Sequence, residues 1–365
     1  MFRPKNSFWL QTTQGCIAGV KSGFKPHPVR SSSSVGPEQS SKRPTVSWCS
    51  NRRRRIQYCE LALAIALFGS GCSLKRFAIN KIGDSLASGP SVYETEEDIA
   101  LAGEALPFGL KFTETLVAQS PEHRGLLLTA CKGFVLYSYA YVDFEAEVAA
   151  AVNLDRSLAL QQRALKLYER AHDYGLRGLE RSYPGIGDSL FRDPEAAAER
   201  IRPDKAGRDL PLVYWTAAAL GLAISAGRND PALLARLPEV EAMIDRAIEI
   251  DPSWDEGALY EFQVSLAGAK PKPPPVEEVQ HDYERALALS GGKRAGLHLS
   301  FAESVSVPEQ NRQQFLELID KALAVDPDAE QRYRLVNNLA HRRARWLRSR
   351  VDELFLEAGE STDSL

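Results

Sequence analysis

Three segments of this chain carry the same pattern of apolar residues: VEAMIDRAIEIDP (240–252), VQHDYERALALSG (279–291) and FLELIDKALAVDP (315–327). In each segment, apolar side chains occupy the first, fifth, eighth and ninth positions, and the eighth is always alanine. This spacing places them on one face of an α-helix. Alanine suits a close crossing of two helices, where a larger side chain would force them apart. The segments therefore predict three repeated helices.

Each repeated helix is predicted to end at a residue that cannot continue it. Pro252 and Pro327 lack the backbone donor of the helical ladder, and Gly291 tolerates a left-handed cap. The alanines lie 39 and 36 residues apart, slightly more than the period of about 34 in a tetratricopeptide repeat. The proline-rich segment AKPKPPP (269–275) accounts for the excess as an extended spacer.

The rest of the chain after residue 71 also shows a helical period, and alternating runs of β-branched residues are missing. We therefore expect an all-α protein, with tetratricopeptide-like antiparallel helix pairs stacked as an α-solenoid or bundle. Residues 182–209 are predicted to form a long loop with one short helix at 195–201. The other predicted helices cover residues 94–119, 122–150, 154–180, 212–226, 255–266, 297–305 and 329–358.

An export signal is predicted ahead of this region. Residues 52–72 read RRRRIQYCELALAIALFGSGC: a basic cluster, a short apolar run, small residues and a cysteine. The apolar run is far shorter than the ~20 residues that span a bilayer. Its ending resembles the bacterial lipoprotein signal, which implies that Cys72 is acylated and becomes the mature N-terminus. An ordinary signal peptide, or a short buried helix beside an unmodified cysteine, is the alternative.

The chain thus divides into four parts. Residues 1–51, rich in Ser, Pro and basic side chains, are either disordered or lie upstream of the true start codon. Residues 52–71 form the signal peptide, 72–358 the all-helical domain and 359–365 a tail. Because Ser73 rather than Asp follows the cysteine, the lipoprotein resemblance implies a periplasmic protein anchored to the outer membrane.

The predicted mature part is acidic, although the whole chain has a formal net charge of only -3. Residues 1–71 hold 11 of the 45 Lys and Arg but two of the 48 Asp and Glu, which leaves 34 basic against 46 acidic residues. Such a surface argues against nucleic acid or anionic lipid as the main partner. Contact with the membrane is then expected only through the lipid anchor.

No catalytic, metal-binding or cofactor-binding constellation stands out in the sequence. The histidines after residue 71 are dispersed singly, with no cysteine at ligand spacing. There is no Gly-x-Ser-x-Gly nucleophile motif, and SGGKR (290–294) lacks the spacing of a phosphate-binding loop. Cys131, in an apolar run, is predicted to be a plain buried residue. An envelope hydrolase with an unrecognised site is the remaining enzymatic alternative.

One basic segment contrasts with the acidic surroundings. HRRARWLRSR (341–350) places five arginines around Trp346 on one predicted helix. These arginines either bind an acidic partner surface or pair with carboxylates of the preceding helices. Arg342, Arg343, Arg345 and Trp346 are therefore candidate binding residues.

Six stretches together resemble the T component associated with TRAP transporters, which are tripartite, ATP-independent periplasmic uptake systems. The resemblance covers nearly all of the predicted mature chain and implies no catalytic residue. The six stretches are LLLTACKGFVLYSYAYV (126–142), RAHDYGLRGLE (170–180), LPLVYWTAAALGLAIS (210–225), RAIEIDPSWDEGALYE (246–261), ERALALSGGKRAGLHLSFAESVSVPEQNR (284–312) and NNLAHRRARWLRSRVDELF (337–355).

The resemblance implies a periplasmic lipoprotein that binds the solute receptor of a TRAP system and helps to deliver a small, hydrophobic ligand. It also implies a homo-oligomer. A general envelope scaffold for protein–protein interaction, without a ligand of its own, is the alternative function. Stacked helix pairs expose a concave face. Five aromatic residues are candidates for lining this face: Tyr214, Trp215, Trp254, Tyr260 and Phe262. Packing in the core is the competing interpretation, above all for Trp215.

Overall fold

Helices make up most of the chain in a computed structural model that describes residues 75–88 and 91–356. Within these ranges no β-strand occurs, and the all-α prediction is confirmed. The predicted N-terminal extension, signal peptide, Cys72 and the 359–365 tail lie outside the described residues. From Ile79 onward the described residues belong to one packed unit, whereas 75–78 belong to a separate unit, Cys16–Ala78.

The α-helices of the described residues are numbered in chain order. Two π-helices (Ser138–Asp143 and Ala302–Ser306) and three 3-10 turns (Pro203–Lys205, Trp254–Gly257 and Gln331–Tyr333) stand between them. The α-helices are α1 (75–87), α2 (Ile99–Gln119), α3 (Arg124–Tyr137), α4 (Phe144–Ala149), α5 (Leu154–Glu180), α6 (Ile186–Arg192), α7 (Pro194–Glu199), α8 (Ala206–Ala226), α9 (Pro231–Leu234), α10 (Leu237–Ile250), α11 (Ala258–Ala267), α12 (Val276–Ser290), α13 (Ala295–Phe301), α14 (Arg312–Ala324), α15 (Arg334–Ser349) and α16 (Val351–Leu354).

The three repeated segments are α10, α12 and α14. Their alanines, Ala247, Ala286 and Ala322, are completely buried, as close helix crossings require. Helix α12 ends at Gly291 with a left-handed φ of 59°, so the predicted glycine cap is confirmed. Each repeated helix packs against an α-helix that precedes it in the chain: α10 on α8, α12 on α11 and α14 on α13. The closing helix α15 contacts both α13 and α14.

Helix α8 lies at the centre of the first half, where it contacts α3, α5 and α10. By length and composition, its segment Gly207–Ala226 could cross a membrane, as could Arg124–Ala149. However, 83% of the α8 window is buried inside the protein, so its apolar composition fits a core helix. Glycines let α5 approach it: a Cβ added at Gly175 would overlap Thr216 Oγ1, and one at Gly178 would lie 2.6 Å from Leu212 Cδ2.

The stretch 182–209 differs from its prediction as a long loop. It contains α6, α7 and a 3-10 turn, and α8 begins at Ala206 rather than at 212. Asp193 caps the start of α7, where Pro194 occupies the first turn. A tertiary interaction supports this segment as well, since Tyr183 Oη donates to Asp209 Oδ2 at 2.6 Å.

The last long helix packs against the first ones. Leu335 N donates to Glu94 O at 3.1 Å, and the Trp346 ring meets the edge of Phe144 with centroids 5.6 Å apart. The Glu94 side chain in turn pairs with Lys132 of α3. Helices α3, α8, α11, α13 and α15 therefore form a series of contacts in which Glu94 links α15 back to α3. We call these five helices the inner circuit.

Candidate functional site

A left-handed turn marks the point where α10 gives way to α11. In the segment Trp254–Gly257, φ is 48° at Asp255, 53° at Glu256 and 90° at Gly257. Glycine adopts this conformation easily. A left-handed backbone at any other residue costs roughly 1–3 kcal/mol, which the surrounding structure must offset. Backbone outliers of this kind concentrate at binding and catalytic sites.

The side chain of Arg294, which is 1% exposed, holds the turn in place. Its guanidinium donates to the Asp255 carbonyl oxygen, to Asp255 Oδ2 at 3.0 Å and to Glu261 Oε2 at 3.1 Å. It also donates to Tyr333 Oη at 3.2 Å. The planar fork of donors suits this convergence of acceptors, because several bonds form from one rigid group.

A second layer of contacts extends this network. Tyr333 Oη donates to Glu256 Oε2 at 3.0 Å, and Arg332 forms an ion pair with the same carboxylate. We call Asp255, Glu256, Glu261, Arg294, Arg332 and Tyr333 the Arg294 cluster. It joins the left-handed turn, the start of α13 and the 3-10 turn before α15 into one polar unit.

Burial controls the ionisation of this cluster. Burial raises the pKa of Asp255 to about 6, although Arg294 opposes the shift, and burial also raises the pKa of Glu261. Burial by itself would lower the pKa of Arg294, but Asp255 and Glu261 outweigh it and raise that pKa. The guanidinium is therefore charged at every physiological pH, whereas Asp255 titrates near neutrality.

Some buried polar atoms in and around the cluster have no hydrogen-bond partner. Among them are Asp255 Oδ1, an acceptor, and Trp215 Nε1, a donor. Lys132 Nζ lies 5.7 Å from the centroid of the Trp215 ring, and its charge also lowers the pKa of Asp255, so the three side chains share one neighbourhood. A buried polar group without a partner costs about 1–3 kcal/mol.

The five aromatic candidates lie close to this cluster. Tyr214 contacts three rings, with centroids 5.2 Å from Trp215, 5.0 Å from Trp254 and 6.0 Å from Phe262. Tyr214, Trp215 and Phe262 are fully buried, as the core-packing alternative predicts. Trp254 and Tyr260 are half-buried. The first three residues therefore pack the inner circuit from within, and only the last two could meet a molecule at the surface.

The arginine-rich helix α15 is engaged mostly with its own chain. Arg343, 5% exposed, donates to Glu303 Oε1 at 2.7 Å and pairs with Glu147 at 3.1 Å. Arg342 donates to the Ala140 carbonyl oxygen, and Arg345 is exposed. Arg343 thus pairs with carboxylates of its own chain, and binding of a partner by the other arginines stays a prediction.

Both π-helices lie near the buried ion pair between Arg343 and Glu303. Glu303 belongs to the second π-helix. Tyr139 belongs to the first, and burial raises its pKa; the charge of Arg343 opposes this shift and that of Glu303 adds to it. A π-helix carries one extra residue in its turn and is frequent at functional sites. These turns were not predicted, because one extra residue within a continuous helical segment has no residue-type signal of its own.

Sequence reasoning also missed the Arg294 cluster itself. The only local signal was the run of charges in Trp254–Gly257 within an otherwise apolar stretch. Cys131 is buried as predicted, and burial raises the pKa of its thiol. Among residues 75–88 and 91–356, no group of three or more His, Cys, Asp or Glu is placed to hold a metal ion.

Comparison with known proteins assigns the chain to a family. It is 29% identical over 318 residues to an uncharacterized protein of Treponema pallidum (strain Nichols), covering 83% of this chain and 98% of that protein. The TRAP transporter T-component family matches residues 95–355, more than two thirds of the 365 residues. The match spans α3, α8, α11, α13 and α15, the helices of the inner circuit. The chain therefore belongs to the TRAP transporter T-component family.

Proposed function

We propose that this protein is a lipid-anchored periplasmic helper of a TRAP-type uptake system, which binds the extracytoplasmic solute receptor and a small hydrophobic ligand. Membership of the T-component family supports a role in TRAP transport. That family is a transporter accessory family rather than an enzyme family. The anchor at Cys72, attachment to the outer membrane and assembly into a homo-oligomer belong to the same proposal.

One observation carries the ligand part of this proposal. Trp215 Nε1 on α8 is a donor without a hydrogen-bond partner, and Asp255 Oδ1, in the left-handed turn that also contains the half-buried Trp254, is an acceptor without one. Small-molecule sites are mostly apolar, with a few polar groups that fix orientation. A hydrophobic molecule with one hydroxyl or carboxyl group would place its apolar body against the aromatic rings. Its polar group would then satisfy the two unpaired atoms.

The test is purification of the tagged chain from a detergent-solubilised envelope, followed by mass spectrometry of proteins and small molecules. We expect the TRAP receptor and a hydrophobic small molecule in the eluate. Trp215→Phe keeps the ring but removes its donor, so it should lose the small molecule and retain the receptor. Tyr183→Phe removes a buried hydrogen bond to Asp209, which is not part of the Arg294 cluster, and serves as the matched control. Envelope proteins without a receptor or ligand would favour the alternative, a general protein-binding scaffold.

A further inference from the structure

Helix α2 carries exposed apolar side chains along its outer face, in addition to its buried face. Leu101 is 52% exposed, Phe108 77% and Phe112 46%. Their spacing of seven and four residues places them in one row along the helix. The rings of Phe108 and Phe112 stack, with centroids 6.4 Å apart. The opposite face packs into the protein through other residues, so this row is not part of the core.

Neighbouring segments also expose apolar side chains. On α1, Ile82 and Leu86 stand one turn apart and are 45% and 46% exposed, and Val92 is 79% exposed. We call Ile82, Leu86, Val92, Leu101, Phe108 and Phe112 the N-terminal apolar face. Exposed apolar patches on soluble domains mark contact with a protein or a membrane.

Two contacts show that these segments lie together. Ser120 Oγ, at the end of α2, donates to Asn80 Oδ1 of α1 at 2.7 Å. Tyr93, next to Val92, packs so close to Gly109 that a Cβ there would lie 2.8 Å from Tyr93 Oη. Gly109 is adjacent to Phe108, so both α1 and the segment around Val92 border α2.

The position of the predicted lipid anchor identifies the occupant of this face. Cys72 precedes the first residue of α1 by three positions, a reach of about 10 Å even for an extended chain. Phe112 precedes Ser120 by eight residues, which is about 12 Å along a helix. Acylation of Cys72 would therefore hold the bilayer surface near the start of α1.

We propose that the N-terminal apolar face lies on the membrane, with Phe108 and Phe112 at the boundary between headgroups and acyl chains. This inference rests on the lipid anchor of the proposed function. Apolar side chains enter that boundary readily once a covalent anchor holds them there. The contact would orient the inner circuit relative to the bilayer.

Labelled cysteines test this proposal. A nitrobenzoxadiazole label is attached to a cysteine at an exposed site in each of three variants, Phe108→Cys, Phe112→Cys and Phe191→Cys. Phe191→Cys is the control, because Phe191 lies on α6 and is 70% exposed. The acylated full-length product is reconstituted into phosphatidylethanolamine–phosphatidylglycerol vesicles that contain doxyl lipid. We expect at least about twofold quenching at 108 and 112 and almost none at 191, because doxyl groups quench only labels in the apolar layer.

Each other outcome has a defined meaning. Equal quenching at the three sites, or none, overturns the membrane face. A blue-shifted label at 108 without doxyl quenching also overturns it, because the face then contacts protein, either the receptor or a second copy. The mass of the N-terminal peptide reports acylation of Cys72 separately. A missing receptor in the purification would contradict the proposed function alone.

Discussion

Replacing Arg294 with methionine removes the charge that stabilises the left-handed turn but keeps most of the aliphatic stem. The guanidinium compensates two buried carboxylates, Asp255 and Glu261, which are 2% and 8% exposed. Removing one partner of a buried ion pair costs about 3–5 kcal/mol, because the remaining charge has no compensation. That loss is a large part of the ~5–15 kcal/mol that stabilises an ordinary domain.

Urea unfolding followed by circular dichroism measures the loss. We expect the free energy of unfolding of Arg294→Met to fall by about 3–5 kcal/mol at pH 8. The deficit should shrink at pH 5, because the uncompensated carboxylates then bind protons. Arg345→Met, on the exposed side of α15, is the matched control and should change little. An Arg294→Met variant as stable as the control, or equally destabilised at both pH values, would refute the argument.

Three further predictions concern other contacts. Burial raises the pKa of Asp255 from 3.8 to about 6, so the folded state binds more protons between these values. The free energy of unfolding should therefore decrease by about 2 kcal/mol from pH 4 to pH 6, out of ~3 kcal/mol for the full shift, and Asp255→Asn should reduce this slope in urea titrations. Gly175→Ala should lower the free energy of unfolding by about 1–3 kcal/mol through overlap with Thr216, whereas Gly207→Ala, with open space around it, should not. Arg343→Met should lower the free energy of unfolding by about 3–5 kcal/mol, because Glu303 is left without its ion-pair partner. Amide hydrogen exchange should become faster in the second π-helix, and unchanged exchange would contradict the role given to this ion pair.

Local patterns were sufficient to predict the helical class and the repeated helices. In α10, α12 and α14, the apolar face, the buried alanine and the helix end all lie within about four turns of one helix. The cap at Gly291 needs no distant contact, because glycine itself tolerates the left-handed conformation. These features depend on residues that are close in sequence, so the sequence reports them directly.

The short helix predicted at 195–201 corresponds to α7, which Asp193 caps, whereas α6 and the start of α8 at Ala206 were missed. Proline, glycine and charge are typical of loops, and they outweighed the helical signal of these two segments. In the structure, Tyr183 and Asp209 close this segment with a hydrogen bond between residues 26 positions apart. A tertiary contact thus stabilises helices that are too short to form alone.

By itself, the amino-acid sequence determined that the chain is helical, where its repeated helices end, and which family it resembles. The tertiary structure decided that Arg294 meets carboxylates 33 and 39 positions away, and that Arg342 reaches Ala140 across 202 positions. It also decided which aromatic rings are buried. The physical reason is that local backbone preferences depend on neighbours in the chain, whereas ion pairing and burial depend on where distant helices are brought together.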